Sequence, residues 1–328
     1  SKEHEVTVGR MKLKTAFMNP EDGRMIPTLE QGILYKNKSF KNTTLQLGWI
    51  THVAARSYSG YATVANSMGI YPVGKNPDGS NSGYQGNLTS KGLGLFSITY
   101  KKKKWGVDFI DYFAENIFNT AYVKAHYNWN TEKIKWKLSG QFMRQDQIKN
   151  GGNDDISKAY FQQKKSHVLG GQLESKVKNG ITLSGNYNYI TGDGRFLFPR
   201  EWGRETLFTF QKRERLEGVS NTHAWVLDVA KNWKFKNGGL FKAKIGYGQY
   251  YRPEAKSFEA NKYAIPANDQ LNIDVFYDFG GALKGLGFEY LITYKGAIGN
   301  TYDLSLIHIS EPTRPLYISY AVFCLKKR

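Results

Sequence analysis

EKIKWKLSGQF, residues 132–142, alternates two kinds of side chain with a strict period of two. Lysines stand at 133, 135 and 137, and large apolar side chains stand at 134, 136, 138 and 142. A period of two is typical of a β-strand whose two faces have different surroundings, whereas an α-helix repeats every 3.6 residues. A soluble sheet with one face on a core also accepts this pattern. The stretch therefore predicts a strand, and the rest of the chain has to identify its environment.

The same alternation recurs along the chain and predicts about thirteen strands, nearly all with one apolar and one polar face. The clearest lie at residues 43–51, 95–101, 121–129, 181–189, 225–236, 240–250 and 271–279. The sequence has no run of about eighteen apolar residues, so it predicts no transmembrane helix. Strands of this kind are typical of transmembrane β-barrels, which place apolar side chains towards lipid and polar ones towards the lumen.

The connections between the predicted strands alternate in length. Short turns are predicted at 37–42, 101–104, 130–133, 178–180, 236–239 and 280–286, and long loops at about 52–91, 146–166, 191–221 and 251–269. Outer-membrane barrels have short periplasmic turns and long external loops, so this asymmetry favours a barrel over a sandwich. Within the second long loop, DDISKAYFQQKK (154–165) predicts a short helical turn with Asp154 or Asp155 as its N-cap.

The last segment of the chain, residues 304–328, departs from the strand pattern. Residues 304–314 can be encoded by a common transposase-adapter sequence and residues 318–325 by a common flow-cell primer site, so the segment looks like translated sequencing adapter. We therefore expect two parts: residues 1–303, an incomplete barrel that lacks its first and closing strands, and residues 304–328, a non-native tail.

The chain is strongly basic even without this tail. It has 46 Lys and Arg against 28 Asp and Glu, and the tail holds four of the former and one of the latter, which leaves a net charge of +15. The single cysteine, Cys324, lies in the tail, so residues 1–303 have no disulfide framework and no thiolate metal site. Binding to single-stranded nucleic acid is disfavoured because the lysines and aromatic residues fall on opposite strand faces, where stacking and phosphate contacts cannot combine.

Two stretches, residues 18–50 and 192–218, resemble the OprD-type outer-membrane porins, in the version found in Bacteroidetes-like bacteria. The run Asp22-Gly23-Arg24-Met25-Ile26-Pro27 resembles the family's Asp-x-Arg-x-x-Pro motif, and residues 271–296 resemble its last hairpins. The resemblance implies an all-β antiparallel barrel of about sixteen to eighteen strands in the bacterial outer membrane, often trimeric, with loops folded into the pore. It also implies a ladder of arginines that guides carboxylate-bearing solutes, and no enzymatic activity.

The candidate pore-lining residues are basic residues on the polar face of strands and in loops. On strand parity or in turns they are Lys124, Lys133, Lys135, Lys137, Lys234, Lys242 and Lys244, and in loops they are Arg24, Arg195, Arg200, Arg204 and Arg213. Cations that line a narrow pore with low-dielectric walls concentrate anions there. The sequence thus predicts a passive channel for small anionic solutes, with no metal or cofactor; a single lysine can equally be a solvated surface group or contact lipopolysaccharide phosphates.

Two other barrel functions remain open at this point. A piece of an energy-coupled receptor barrel would share the strand pattern. A lipid-acting barrel enzyme would need a Ser, His and Asn constellation, for which His126, Asn128 and Ser139 are the nearest material. Acidic turns at 151–155 and 191–194 have oxygen ligands of the kind that calcium prefers, although turns use such residues without an ion.

Overall fold

The computed structural model describes residues 3–20 and 26–299, together with the backbone of 316–322. Its strands are β1 (His4–Met11), β2 (Leu29–Asn37), β3 (Thr43–Ala54), β4 (Ala62–Thr63), β5 (Leu93–Lys101), β6 (Trp105–Ala114), β7 (Phe118–Asn130), β8 (Ile134–Gln147), β9 (Lys165–Val177), β10 (Ile181–Ile190), β11 (Thr222–Lys234), β12 (Leu240–Tyr251), β13 (Asn268–Asp278), β14 (Gly287–Ala297) and β15 (Leu316–Val322). Short helices are α1 (Val64–Ser67) and 3₁₀ turns at Ile156–Lys158, Arg200–Trp202 and Gly281–Leu283.

All strands belong to one antiparallel sheet in which each strand pairs with its neighbour in chain order, except that β4 pairs on the side of β3. Without β4 and β15, thirteen strands remain, as the sequence predicts. Within the described residues β1 and β15 are the two edges and do not pair with each other, so the sheet is not closed. Strand β15 lies in the predicted adapter-derived tail, and its pairing with β14 has no bearing on that origin, because an open edge accepts any extended backbone.

The two faces of the strands differ as the opening stretch predicts. On β8, Leu138 and Phe142 are 52% and 42% exposed, while Ser139 and Gln141 between them are 2% and 5% exposed. Exposed apolar side chains recur at alternate positions on other strands, for example Phe96, Leu173, Leu227 and Ile245. The apolar parity is therefore the outer, lipid-facing face. No helix of the described part is long and apolar enough to cross a membrane.

Long connections all leave one end of the sheet and short turns the other, with residues 115–117 as a short exception at the long-loop end. The helical turn predicted in the loop after β8 is present at Ile156–Lys158, and the Asp155 carboxylate accepts a hydrogen bond from the Ser157 amide (3.1 Å). The predicted turn, its N-cap and the loop asymmetry are confirmed.

The core lies inside the sheet, between the inner wall and the long loops. Phe17, Tyr112 and Phe118 are fully buried. Tyr112 and Phe118 make edge-to-face contacts with Phe198 from the loop after β10, and Phe118 stacks on Trp202 of the same loop. The inner face is thus apolar near the long loops and polar near the short turns. This differs from a uniformly aqueous lumen, because inward-folded loops need an apolar surface on which to pack.

Candidate solute pathway

The connection between β10 and β11, residues 191–221, folds against the inner wall of the sheet. The side-chain amide of Gln145 on β8 donates to the Leu197 carbonyl (2.7 Å) and accepts from the Leu197 amide (2.9 Å). Further along the loop, Asn188 on β10 accepts from the Thr209 amide (3.0 Å). These bonds satisfy backbone groups that would otherwise be buried without partners, and they hold this loop against the inner wall.

Residues 205–217 of this loop form a compact segment, here called the constriction lobe. The buried Glu205 carboxylate accepts hydrogen bonds from the amides of Leu216 (2.8 Å) and Glu217 (3.0 Å), and so joins the two ends of the lobe. Burial raises the pKa of Glu205 to about 7, while the bond from the Leu216 amide and the charge of Arg215 act in the opposite direction. The two ends of the lobe, which we call its neck, are therefore held together by the Glu205 carboxylate.

Arg204, next to the neck, has a backbone that is locked in place. The Asn19 side-chain amide donates to the Arg204 carbonyl (2.8 Å) and accepts from its amide (3.1 Å). The preceding Gly203 has φ +151°, and a Cβ there would lie 2.7 Å from the Asn19 nitrogen, so only glycine fits. The exposed guanidinium lies 5.1 Å from the Phe210 ring centre. Arg204 is thus presented from a rigid backbone.

The inner face of β5–β9 forms a surface that we call the basic wall. Its cations are Lys101, Lys124, Lys135, Lys137 and Lys176, and its carboxylates are Asp108 and Glu174. No carboxylate oxygen of the described residues lies within 4.0 Å of these ammonium groups. Lys135 stands directly opposite Lys176 in the strand register, a like-charge arrangement that costs stability. The basic wall therefore carries uncompensated positive charge.

The inner face of β11–β14 also carries lysines, in a different arrangement, and we call it the paired wall. Lys244 contacts Asp228 (3.0 Å) and Lys242 contacts Asp278 (3.6 Å). Lys295 reaches Glu214 of the constriction lobe (2.8 Å). Lys242 and Lys244 do face inward as the sequence predicts, but each is balanced by a carboxylate on the neighbouring strand, two positions from the residue directly opposite the lysine.

The other candidate residues are placed as follows. Lys234 ends β11 on the inner parity, and Lys133 lies in the turn before β8 rather than on the wall. Arg200 is half-buried, donates to the Pro72 carbonyl (2.9 Å) and lies over the Tyr263 ring. Arg213 is exposed at the tip of the lobe, with φ +72°. Arg24 lies outside the described residues.

Arg195 requires a correction. Its side chain is 2% exposed and donates to the carbonyls of Lys75 (2.9 Å) and Phe258 (3.1 Å), which belong to two other long loops. A guanidinium has five donors in a fixed fork, which suits it to join several carbonyl groups. Arg195 thus ties the loops together and does not line the pore.

Two cavities flank the constriction lobe. One, of about 190 Å³, is lined on the paired-wall side by Arg204, Phe210, Lys212, Lys244 and Asp274 among others. The other, of about 220 Å³, is lined on the basic-wall side by Lys14, Thr99, Asp108, Lys124 and Thr206 among others. Lys124 and Arg204 thus face open space beside the lobe. The sequence did not single out Lys14, Lys176 or Lys212; for Lys176 the strand parity was a sufficient signal.

The Ser and His residues that a lipid-acting enzyme would need lie close together but do not form a hydrogen-bonded catalytic pair. Ser139 and His126 stand directly opposite each other on β8 and β7, but no hydrogen bond joins them, and the Ser139 hydroxyl has no hydrogen-bond partner in the described part of the chain. The same residues contain no group of three or more His, Cys, Asp or Glu side chains arranged to hold a metal ion. In the acidic turns, Asp155 caps a helical turn and Asp193 pairs with His167 (2.8 Å).

Several solved structures share this fold. Pseudomonas aeruginosa OccK8 (OprE) matches with a TM-score of 0.70 at 16% identity, over 90% of this chain and 74% of that one. P. aeruginosa OpdK, solved with vanillate, matches with a TM-score of 0.70 at 11% identity, over 91% and 72%. Acinetobacter baumannii OccAB4 matches with a TM-score of 0.69 at 16% identity, over 91% and 68%. No curated protein sequence matches the chain.

The family model described as outer membrane porin, OprD family, matches residues 2–227. This span contains β1 to β10, the constriction lobe and the basic wall, and the fold of the rest agrees with the solved porins. Members of the family are channels of the bacterial outer membrane and not enzymes. The chain therefore belongs to the OprD family of outer-membrane porins.

Proposed function

We propose that the protein is a passive, substrate-selective outer-membrane channel for small anionic solutes, chiefly those that bear a carboxylate. The observation that supports this is the uncompensated basic wall, where five lysines face two carboxylates with no ion pair within 4.0 Å among the described residues. Such a field raises the local concentration of anions in a narrow pore.

Arg204 supports the carboxylate preference in particular. Its exposed guanidinium stands at the neck of the constriction lobe, and a guanidinium matches a carboxylate through two parallel hydrogen bonds, whereas an ammonium acts as a point charge. Vanillate, the compound in the OpdK structure, is an aromatic carboxylate. In this proposal the lysines of the basic wall collect anions and Arg204 orients their carboxylate group.

The test is the reversal potential of the full-length protein, with its barrel closed, in planar bilayers under a salt gradient. Replacing both Lys124 and Lys137 by glutamine is expected to lower the anion-to-cation permeability ratio by roughly two- to five-fold, because two unpaired charges leave the lumen. The matched control is Lys165→Gln with Lys231→Gln, two lysines on the outer parity of β9 and β11. Equal effects of the two pairs would show that overall charge, and not the basic wall, sets selectivity.

Carboxylate recognition has a separate test. Vanillate added on one side should block the chloride current, and its methyl ester, which has no carboxylate charge, should not. Arg204→Lys keeps the positive charge but removes the bidentate geometry, so it should weaken the block without changing chloride selectivity. Block by acid and ester alike would reduce the proposal to a general anion channel.

Three narrower points belong to the same proposal. The channel catalyses no reaction, it is surrounded by outer-membrane lipid and lipopolysaccharide, and it assembles as a homotrimer, as the family resemblance implies. Residues 304–328 are a non-native, adapter-derived tail. Sequencing genomic DNA beyond codon 303 tests the last point, since recovery of the same tail would disprove it.

A further inference from the structure

The tip of the constriction lobe rests on the inner faces of β12 and β13. The backbone carbonyl of Lys212 accepts hydrogen bonds from the side-chain amides of Gln270 (2.8 Å) and Asn272 (2.9 Å). The Gln211 side chain donates to the Gly246 carbonyl (2.9 Å). A Cβ on Gly246 would lie 2.4 Å from the Asp228 carboxylate and 3.1 Å from Gln211. Glycine at this position therefore leaves the space in which the Gln211 side chain packs on β12.

The Lys212 ammonium adds an ionic contact to this seat. It lies 2.5 Å from the Asp274 carboxylate on β13 and also contacts Glu289 on β14. Burial acts against the charged form of Lys212, but the hydrogen bonds and charges of the two carboxylates outweigh it and raise its pKa. One cation thus bridges two neighbouring strands from the lumen side.

A second ionic contact holds the next turn of the lobe. The Glu214 side chain is 2% exposed and contacts Arg252, the residue after β12, and Lys295 (2.8 Å) on β14. The oxygen that contacts Lys295 also accepts a hydrogen bond from the Asn268 side-chain amide (3.0 Å). Both contacts end on the paired wall, so ionic contacts fasten this part of the lobe to that wall.

The charge balance around Lys212 argues against a solute-binding role. Its single positive charge is already in contact with two carboxylates, so Lys212 has little free charge for an arriving anion. We propose that Lys212 is a positioning residue: its contacts with Asp274 and Glu289 fasten the constriction lobe to the paired wall and thereby set the open width of the pore. This inference rests on the channel activity of the family and not on the anion preference.

The experiment is single-channel recording of the full-length protein in planar bilayers, with three changes at this contact. Lys212→Met keeps the length of the side chain but removes the charge, and it is expected to make the open current fluctuate among several levels as the lobe leaves its seat. The exchange Lys212→Glu with Asp274→Lys keeps one ammonium and two carboxylates in place, and it is expected to restore a steady current. Asp274→Asn with Glu289→Gln frees Lys212 and should give a fluctuating current with a higher anion preference.

The matched control is Lys242→Met. This lysine lies on the same wall but contacts only strand residues, Asp278 and the Phe276 ring, so its loss should change selectivity and leave the current steady. If Lys212→Met gives a steady current with a lower anion preference, and the exchange does not restore it, Lys212 is a solute-binding cation and the inference is overturned.

A second measurement does not depend on pore insertion. In detergent, trypsin cleavage after Arg213 and Arg215 should be slow in the unchanged protein and in the exchange variant, and several-fold faster in Lys212→Met. Equal cleavage rates in all three would also overturn the inference. A different outcome would refute the proposed function alone. In that outcome the unchanged protein and all variants lack anion preference, but the differences in current steadiness and cleavage rate remain, and the fastening role of Lys212 still holds.

Discussion

The basic wall and the paired wall are built from the same strand parity and the same residue type, yet they present different charges to the lumen. On the paired wall, Lys244 stands directly opposite Asp274 in the register and contacts Asp228. On the basic wall, Lys135 stands opposite Lys176. The difference shows that alternation decides which face a lysine occupies, while cross-strand register decides whether a carboxylate neutralises its charge.

The consequence for an anion in the lumen follows from electrostatics. A lysine beside a carboxylate acts as a dipole whose field falls off faster than that of a single charge, and salt screens both beyond about 10 Å at 0.1 M. Asp108 and Glu174 do stand opposite Lys124 and Lys137, but Asp108 accepts a hydrogen bond from Thr99 (2.8 Å) instead of an ion pair. An anion is therefore expected to follow the basic wall.

The largest predicted effect comes from inverting the basic wall. Lys124→Glu with Lys137→Glu changes the lumen charge by four units next to the cavity beside the lobe, and we expect the channel to turn from anion-preferring to cation-preferring. A change of roughly tenfold or more in the permeability ratio corresponds to about 1.4 kcal/mol or more, which several unpaired charges can supply. The reversal potential under a salt gradient measures it.

The control for this inversion uses the paired wall. Swapping the partners there, with Lys244→Asp and Asp228→Lys, keeps every charge in the lumen and should leave the permeability ratio near its original value. An inverted basic wall that still prefers anions would place the selectivity elsewhere, for example at Arg204.

A smaller effect is expected when the paired wall is made to resemble the basic wall. Asp228→Asn with Asp278→Asn removes the carboxylates that contact Lys244 and Lys242. The net charge of the lumen then becomes more positive by two units. The anion-to-cation permeability ratio should rise by roughly two- to three-fold, less than in the inversion because only two charges change. An unchanged ratio would mean that solutes do not approach this wall.

The sequence alone was sufficient for the architecture of these walls. Strand number, parity, loop asymmetry and the Asp155 cap follow from local rules with periods of two residues and from turn chemistry. The inner-face positions of Lys124, Lys135, Lys137, Lys242 and Lys244 follow from the same alternation. Sheet parity is robust because a lysine on the lipid face at the bilayer midplane would cost about 2 to 4 kcal/mol.

What the sequence could not supply depends on contacts between distant segments. The ion pairs of Lys242 and Lys244 require the register of β11 to β13, which no local pattern encodes. The burial of Arg195 requires three loops to meet, with partners 120 and 63 residues away. The role of Lys212 likewise depends on a loop folding back onto strands that follow it in the chain.

The smallest predicted effect concerns two lysines that share the same alternation, one in a turn and one on a strand. Lys133 and Lys135 share the alternation of the opening stretch, but Lys133 lies in the turn before β8, where its carbonyl accepts from the Lys178 amide (3.1 Å), and Lys135 lies on the wall. A turn lysine in bulk water, with a dielectric constant near 80, contributes little to the lumen potential. Lys133→Gln should therefore leave the reversal potential almost unchanged, whereas Lys135→Gln should shift it measurably towards cations. Equal shifts from the two substitutions would show that solutes already sense the charge of the turns, and the boundary of the basic wall would then have to move outward to include them.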